Sequence, residues 1–434
     1  MPPVPVSTVA VSWPDVLQSL CAHRADTGER LAAYLSANPG DVAAWCLKGF
    51  AQLALGRVDR RGEAAAAEAT ARAAHAAGGS ARDARLLTAL ESWRHDRPLD
   101  AVDAFDAMLA DDPRDLLAVK LQHGLLLMLG QPSRMRASLE QVLPSWSPDT
   151  PGMGFVLGCH SFSLEETGDF ERAEATGRWA VALQPDDAWA IHAVAHVFES
   201  RGQARDGLAW LGTHADGYAA CNVFRGHVHW HRALLHFQLE QFAEVLDVYD
   251  EHVATPWVGD YRDMSNAVSL LWRLESEGVD VGRRWQRLAE IAAAHVADQG
   301  SAFAMAHYAV ALGRGNGRAA LARAVAGLAA TVPAVVQSGS QQAVVADVGR
   351  PVCEAILALC TGDPATACSV LASLEGELPR LGGSNAQRDL FTLILIEAAL
   401  AAGEVATVRR LVAARLALRP HDPWLRSRVV RAGG

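Results

Sequence analysis

The seven cysteines of this 434-residue chain (Cys21, Cys46, Cys159, Cys221, Cys353, Cys360 and Cys368) form no CxxC pair. That spacing excludes a zinc ribbon or a dithiol redox motif, and an odd set of thiols inside apolar runs reads as reduced, buried cysteine. Cys159 and Cys221 fall near histidines, where packing is still the expected role. No block of lysine and arginine is present and the formal net charge is −10, so no nucleic-acid footprint is expected. Long apolar runs are missing too: LLAVKLQHGLLLMLG is broken by Lys120 and His123 and is too short for a bilayer. The opening MPPVPVSTVAVSWPDVL has no basic segment, which argues against a secretory signal and for a cytoplasmic protein that does not engage membranes. No phosphate-cradling glycine loop, Gly-x-Ser-x-Gly elbow or cofactor fingerprint occurs, and Ser161, Ser163 and Ser384 have no nucleophile context.

What the chain does have is helical periodicity, with apolar residues three and four apart almost throughout and hardly any strand alternation. Residues 1–12 read as a Pro-rich lead-in and 13–434 as one repeat domain. Asn38-Pro39-Gly40-Asp41, Asp112-Pro113-Arg114-Asp115 and Gln184-Pro185-Asp186-Asp187 each stop one helix and offer an Asp to cap the next. Their prolines are 74 and 72 residues apart, twice a unit of 36 or 37, close to a tetratricopeptide (TPR) helix–turn–helix repeat. Thr167 to Ala173 resembles the turn inside such a repeat, with Ala173, Gly177 and Ala180 letting the second helix approach closely. Gly362-Asp363-Pro364-Ala365 and Ala402-Gly403-Glu404-Val405 repeat the turn, so the expected fold is an all-α, right-handed α-solenoid of roughly ten helix pairs. Residues 254–263 and 331–345 read as long loops placed to close over a binding face.

Histidines concentrate between residues 158 and 240. His192 and His196 are four apart, as are His227 and His231, so each pair shares one helix face. His160 precedes His196 by 36 residues, His231 follows it by 35, and His307 lies 76 beyond His231. One or two repeats separate them, which predicts a common groove with Glu166 and Glu199 beside it. Glu165 is expected to be solvated, since Glu166 is taken to follow the His160 face. Trp189 and Trp230 suit either core packing or stacking on a ligand.

Several strings resemble a known family: DDAWAIHAVAHVFESRGQARDGLAWL, HVHWHRALLHF, SLLWRLESEGVDVGRRWQ and GGSNAQRDLFTLILIEAAL, in that order, are similar to the tetratricopeptide repeat protein 38 family of bacteria and animals. The resemblance runs from about residue 80 to the C-terminus and implies a TPR-like array, without implying a reaction. Positions matching the family's polar motifs are Glu166, Asp187, Trp189, His192, His196, Glu199, His227, Trp230, His231, Asp263, His307, Asn385, Gln387, Arg388 and Asp389, with His160 matching bacterial members. Four positions depart: Val228 stands where the family has Asn, Asn266 and Met305 where it has Asp, and Ala346 where it has Arg. These losses point to a less polar ligand or altered chemistry.

Three functions fit these residues. In the first, His192, His196, His227, His231, Glu166 and Glu199 carry out metal-free acid–base chemistry on a small molecule bound by His160, Trp189, Trp230, Asp263, His307, Asn385 and Arg388. No cofactor is then needed, and specialised metabolism in a GC-rich bacterium would suit the composition. In the second, the two HxxxH pairs hold a transition metal, although His-Ala-Val-Ala-His lacks the glutamate of H-E-x-x-H. In the third, the array is a scaffold whose groove takes a peptide or partner protein. Asn385, Gln387, Arg388 and Asp389 serve equally well as a brace for the last unit or as an anion clamp.

Overall fold

The computed structural model describes residues 10–254, 260–296, 300–331 and 339–433. The described residues are helical nearly throughout, joined by short turns, and none of these helices is long and apolar enough to cross a membrane. The lead-in through residue 9, and 255–259 and 332–338 of the two expected loops, lie outside the described residues.

The three Asp residues at the repeat boundaries cap as expected. Asp41 accepts from the Ala44 N–H at 2.9 Å, Asp115 from Ala118 at 3.1 Å and Asp187 from Trp189 at 3.0 Å. In the Thr167–Ala173 turn, Gly168 takes φ +83°, a left-handed conformation that closes the Met153–Glu166 helix and starts Phe170–Leu183. Gly177 sits where a Cβ would come within 2.5 Å of Val194 and 2.6 Å of Ser161, so only glycine lets these helices meet. Successive helix pairs pack in this way as an all-α solenoid of TPR-like units.

Two extensive hydrophobic clusters fill the molecule, one built from Val16 to Leu235 and the other from Trp230 to Ala432. The Phe224–Gln238 helix supplies residues to both, Val228 and Leu235 to the first and Trp230 and Leu234 to the second. Its histidines therefore sit at the seam.

The array also closes on itself. The first interhelical turn docks on the middle of the chain, with Ala25 N–H donating to Ala220 O at 3.1 Å and Asn222 N–H to His23 O at 2.8 Å. The Asn385–Ala402 helix returns to the histidine helices, its Asn385 N–H donating to Glu166 at 2.7 Å. Arg419 reaches Glu199 at 3.2 Å, and Trp424 donates to Ser276 at 2.8 Å.

Candidate functional site

Ala188–Ser200 and Phe224–Gln238 are neighbouring helices that each present an i, i+4 histidine pair to the same point. The four rings touch: centroids of His196 and His231 are 4.1 Å apart, His192 and His196 4.4 Å, and His192 and His227 4.8 Å. His192 Nε2 lies 2.9 Å from His196 Nε2 and 3.0 Å from His227 Nε2. One nitrogen from each of the four falls within 4.8 Å of the others.

Outer partners decide what those nitrogens carry. His196 Nδ1 faces Glu165 Oε2 at 3.4 Å and His227 Nδ1 faces Asn266 Oδ1 at 3.0 Å. An oxygen acceptor beside Nδ1 favours the tautomer with its proton there and a lone pair at Nε2. Two lone pairs thus converge on His192 Nε2, which can offer one proton to one of them. Protonating His196 would satisfy one contact and leave the other facing lone pair to lone pair. His231 adds two further nitrogens, both buried and without a hydrogen-bond partner among the described residues.

Electrostatics keep most of these rings neutral. Burial, followed by neighbouring histidines, pushes His192 and His231 well below the ordinary imidazole value. Burial brings His227 down to about 3, against the Asn266 hydrogen bond. His196 goes the other way: burial lowers it, but the Glu165 hydrogen bond and the charges of Glu165, Glu166 and Glu199 carry it above the ordinary value.

A cavity of about 340 Å³ opens against this cluster, with His192 and His227 on its wall. Phe162, Trp189, Phe224, Tyr261 and Phe303 give it an aromatic lining, and Asp263 adds a carboxyl. This size and apolar character suit a small organic ligand.

No family model matches the chain. Among solved structures, human IFIT1 in a dimer with m7Gppp-AAAA is similar over 96% of this chain and 93% of its own, at 13% identity and a TM-score of 0.42. The TPR domain of P58(IPK) is similar over 82% of this chain and 98% of its own, at 13% identity and a TM-score of 0.23. Naa15/Naa10 bound to HypK-THB matches over 94% of this chain and 63% of that one, at 13% identity and a TM-score of 0.27.

The remaining residues singled out from the sequence scatter around this centre. Trp189 lines the cavity with Asp263, whereas Trp230 is fully buried and stacks on His227 at 5.1 Å. His160 stands apart from the four, its Nε2 3.7 Å from Glu140. Phe162, two residues on, is turned by about 200° on the helix and is the side chain that meets His192 and His196. His307 is also separate; its Nδ1 donates to Phe303 O at 2.8 Å and its ring packs on Phe391. The Tyr261–Ser276 helix lies between its helix and that of His231. Glu166 is taken up by the Asn385 N–H and by Arg388 at 3.4 Å, and Glu199 by Arg419, so both carboxylates brace the C-terminal helices.

The expected common groove is therefore corrected, since it takes in neither His160 nor His307, and so is the expected place of Glu165. Glu165 is not solvated but 1% exposed, and it, rather than Glu166, faces His196 Nδ1. Its spacing three residues after Phe162 was the available signal, since i and i+3 share a helix face. His23 was missed as well; it lines the cavity, stacks on Phe224 at 4.6 Å and has φ +54°. Lying in a turn, it belongs to no repeat spacing.

The four positions that differ from the resembled family fall in different places. Asn266 supports His227, Val228 and Met305 are buried in the hydrophobic clusters, and Ala346 is half-buried.

Proposed function

We propose that the protein is a metal-dependent enzyme for a small apolar molecule, with a transition-metal ion held by His192, His196, His227 and His231 at the wall of the cavity. The observation that carries this reading is the convergence of ring nitrogens: His192 Nε2 lies 2.9 and 3.0 Å from the Nε2 atoms of His196 and His227, whose outward Nδ1 atoms face oxygens of Glu165 and Asn266. Leaving such nitrogens unsatisfied costs about 1–3 kcal/mol each, and one cation removes the conflict. Metal–nitrogen bonds of about 2.0–2.1 Å place neighbouring nitrogens about 3.3 Å apart, near the spacing found here. Imidazole suits zinc, copper, iron or nickel, and outward hydrogen bonds to a carboxylate and a carbonyl are the usual support of such ligands.

His192 and His227 face the cavity, so a ligand atom there can be polarised by the ion while the aromatic walls keep water out. The N-terminal end of the Asn385–Ala402 helix meets Glu166, and Ser384 and Gln387 line the cavity, which favours an enclosed small-molecule site over a protein-binding groove. Resemblance to the tetratricopeptide repeat protein 38 family is kept as part of this reading, and Asn266, one of the departures from it, supports His227. The metal-free acid–base alternative draws support from the His196–Glu165 pair alone, the one imidazole of the four held above its ordinary value.

Elemental analysis of protein purified without an affinity tag tests the proposal. Near-stoichiometric transition metal is expected, lost in His192→Ala and His231→Ala while the helical circular dichroism persists. Untagged protein that carries no metal and takes up no Zn2+ on titration would falsify it and leave the His196–Glu165 acid–base reading.

A further inference from the structure

The cavity wall carries one carboxyl that the described residues leave without a hydrogen-bond partner. Asp263, in the first turn of the Tyr261–Ser276 helix, lines the cavity and makes no hydrogen bond with any described residue. Its neighbour Arg262 is no partner, because that guanidinium is already paired with Asp260, Nε donating to Oδ1 at 2.8 Å. The other basic side chains on the wall are His23, His192 and His227, and these face other groups: His192 and His227 meet each other at Nε2 and His23 stacks on Phe224. The polar groups at the far end are occupied within the fold: Ser301 and Ser384 cap helices and Gln387 closes the capping box.

Asp263 is also well placed relative to the histidines. Its Oδ1 lies 3.5 Å from where a Cβ on Gly226 would stand, beside the backbone that leads into His227. A carboxyl set among Phe224, Tyr261 and other aromatic rings, with no hydrogen-bond or ion-pair partner among the described residues, is complementary to a cationic head on an apolar body.

We infer that the cavity recognises an apolar amine, its ammonium group bonded to Asp263 and its hydrocarbon part held by the aromatic walls. This rests on the reading of the cavity as the substrate site. Burial, then the like charge of Asp260, raises Asp263 to about 7, opposed by Arg262, so the free carboxyl is easily protonated. An ammonium partner supplies the charge that stabilises its ionised form.

Calorimetric titration with n-decylamine, n-decanol and n-decanoic acid tests the inference on the full chain. Decylamine is expected to bind about tenfold or more tighter than decanol, with decanoic acid weakest. Asp263→Asn should bring the amine down to the alcohol's affinity without changing metal content. Equal or better binding of the alcohol or acid, an amine preference that survives Asp263→Asn, or no binding by any of the three overturns it. The ranking on the unaltered chain decides by itself should Asp263→Asn not fold. Metal content measured on the same samples separates the two proposals. An amine preference in protein that binds no metal sinks the metal centre alone, and a metallated protein indifferent to the amine sinks the amine site alone.

Discussion

Glu165 and Asn266 do for their histidines what the histidines cannot do for themselves, which is to decide where the ring proton sits. A carboxylate at His196 Nδ1 makes that ring a stronger donor of electrons at Nε2 than an amide oxygen makes His227. The two substitutions Glu165→Gln and Asn266→Asp should therefore move metal affinity in opposite directions. Glu165→Gln is expected to weaken it about 10–100-fold and Asn266→Asp to strengthen it, both without loss of helical structure. Competition against a chelator of known affinity reads both changes; the same affinity in both variants and the parent would show that these contacts do not support ligands. Glu165 also marks the limit of what could be read from the sequence. Repeat spacing located the two HxxxH helices, because adjacent helices bring equivalent long side chains together, as His196 and His231 are brought. It misled at His160, because two residues of rotation decide whether a side chain faces the cluster or Glu140, and spacing between repeats carries no rotation.

At the scale of elements, the Asn385–Ala402 helix is bound to the Met153–Glu166 helix through a buried carboxylate. Arg388 and Glu166 are 7% and 1% exposed at the side chain, and burial followed by the Glu165 charge lifts Glu166 to about 7, against the pull of Arg388. Raising a carboxyl's folded value above its unfolded one gives stability that is complete at low pH and is lost as pH rises through the folded value. Removing Arg388 takes away the group that holds that value down. Arg388→Ala is thus expected to cost about 3–5 kcal/mol at pH 8, where Glu166 must either stay ionised without its cationic partner or take up a proton. At pH 5 the cost should be clearly smaller, because the carboxyl is neutral. Urea unfolding of both proteins at the two pH values measures this, and a pH-independent difference would refute it. The Ser384 capping box and the Gly403 turn that bound this helix follow from local sequence. Its partner does not, since nothing within 385–389 says that the acceptor lies 219 residues away.

For the molecule as a whole, the four histidines draw on helices that belong to two hydrophobic clusters, so an ion bound there ties both clusters to one point. Binding restricted to the folded state adds stability by mass action, about 4 kcal/mol at a free ion concentration a thousand times the dissociation constant. The urea midpoint should rise with added Zn2+ and fall on chelation, and His231→Ala should abolish the dependence; an unchanged midpoint in the parent would count against the site. The repeat fold itself was legible from boundary prolines, capping aspartates and Gly177, all of which act within one unit or between neighbours. Self-closure was not, because it depends on the summed small rotations of many units.

That closure has a consequence for how the protein is made. An open repeat array matures unit by unit as it leaves the ribosome, each unit needing only its neighbour. Here all four histidines have been synthesised by residue 231, yet Asn385, Arg388 and Arg419, which close the site from the other side, come more than 150 residues later. During that interval the nascent site is uncapped and accessible to ions. Arrival of the C-terminus then acts as a bolt, so an ion held by the four histidines would have to load before synthesis is complete.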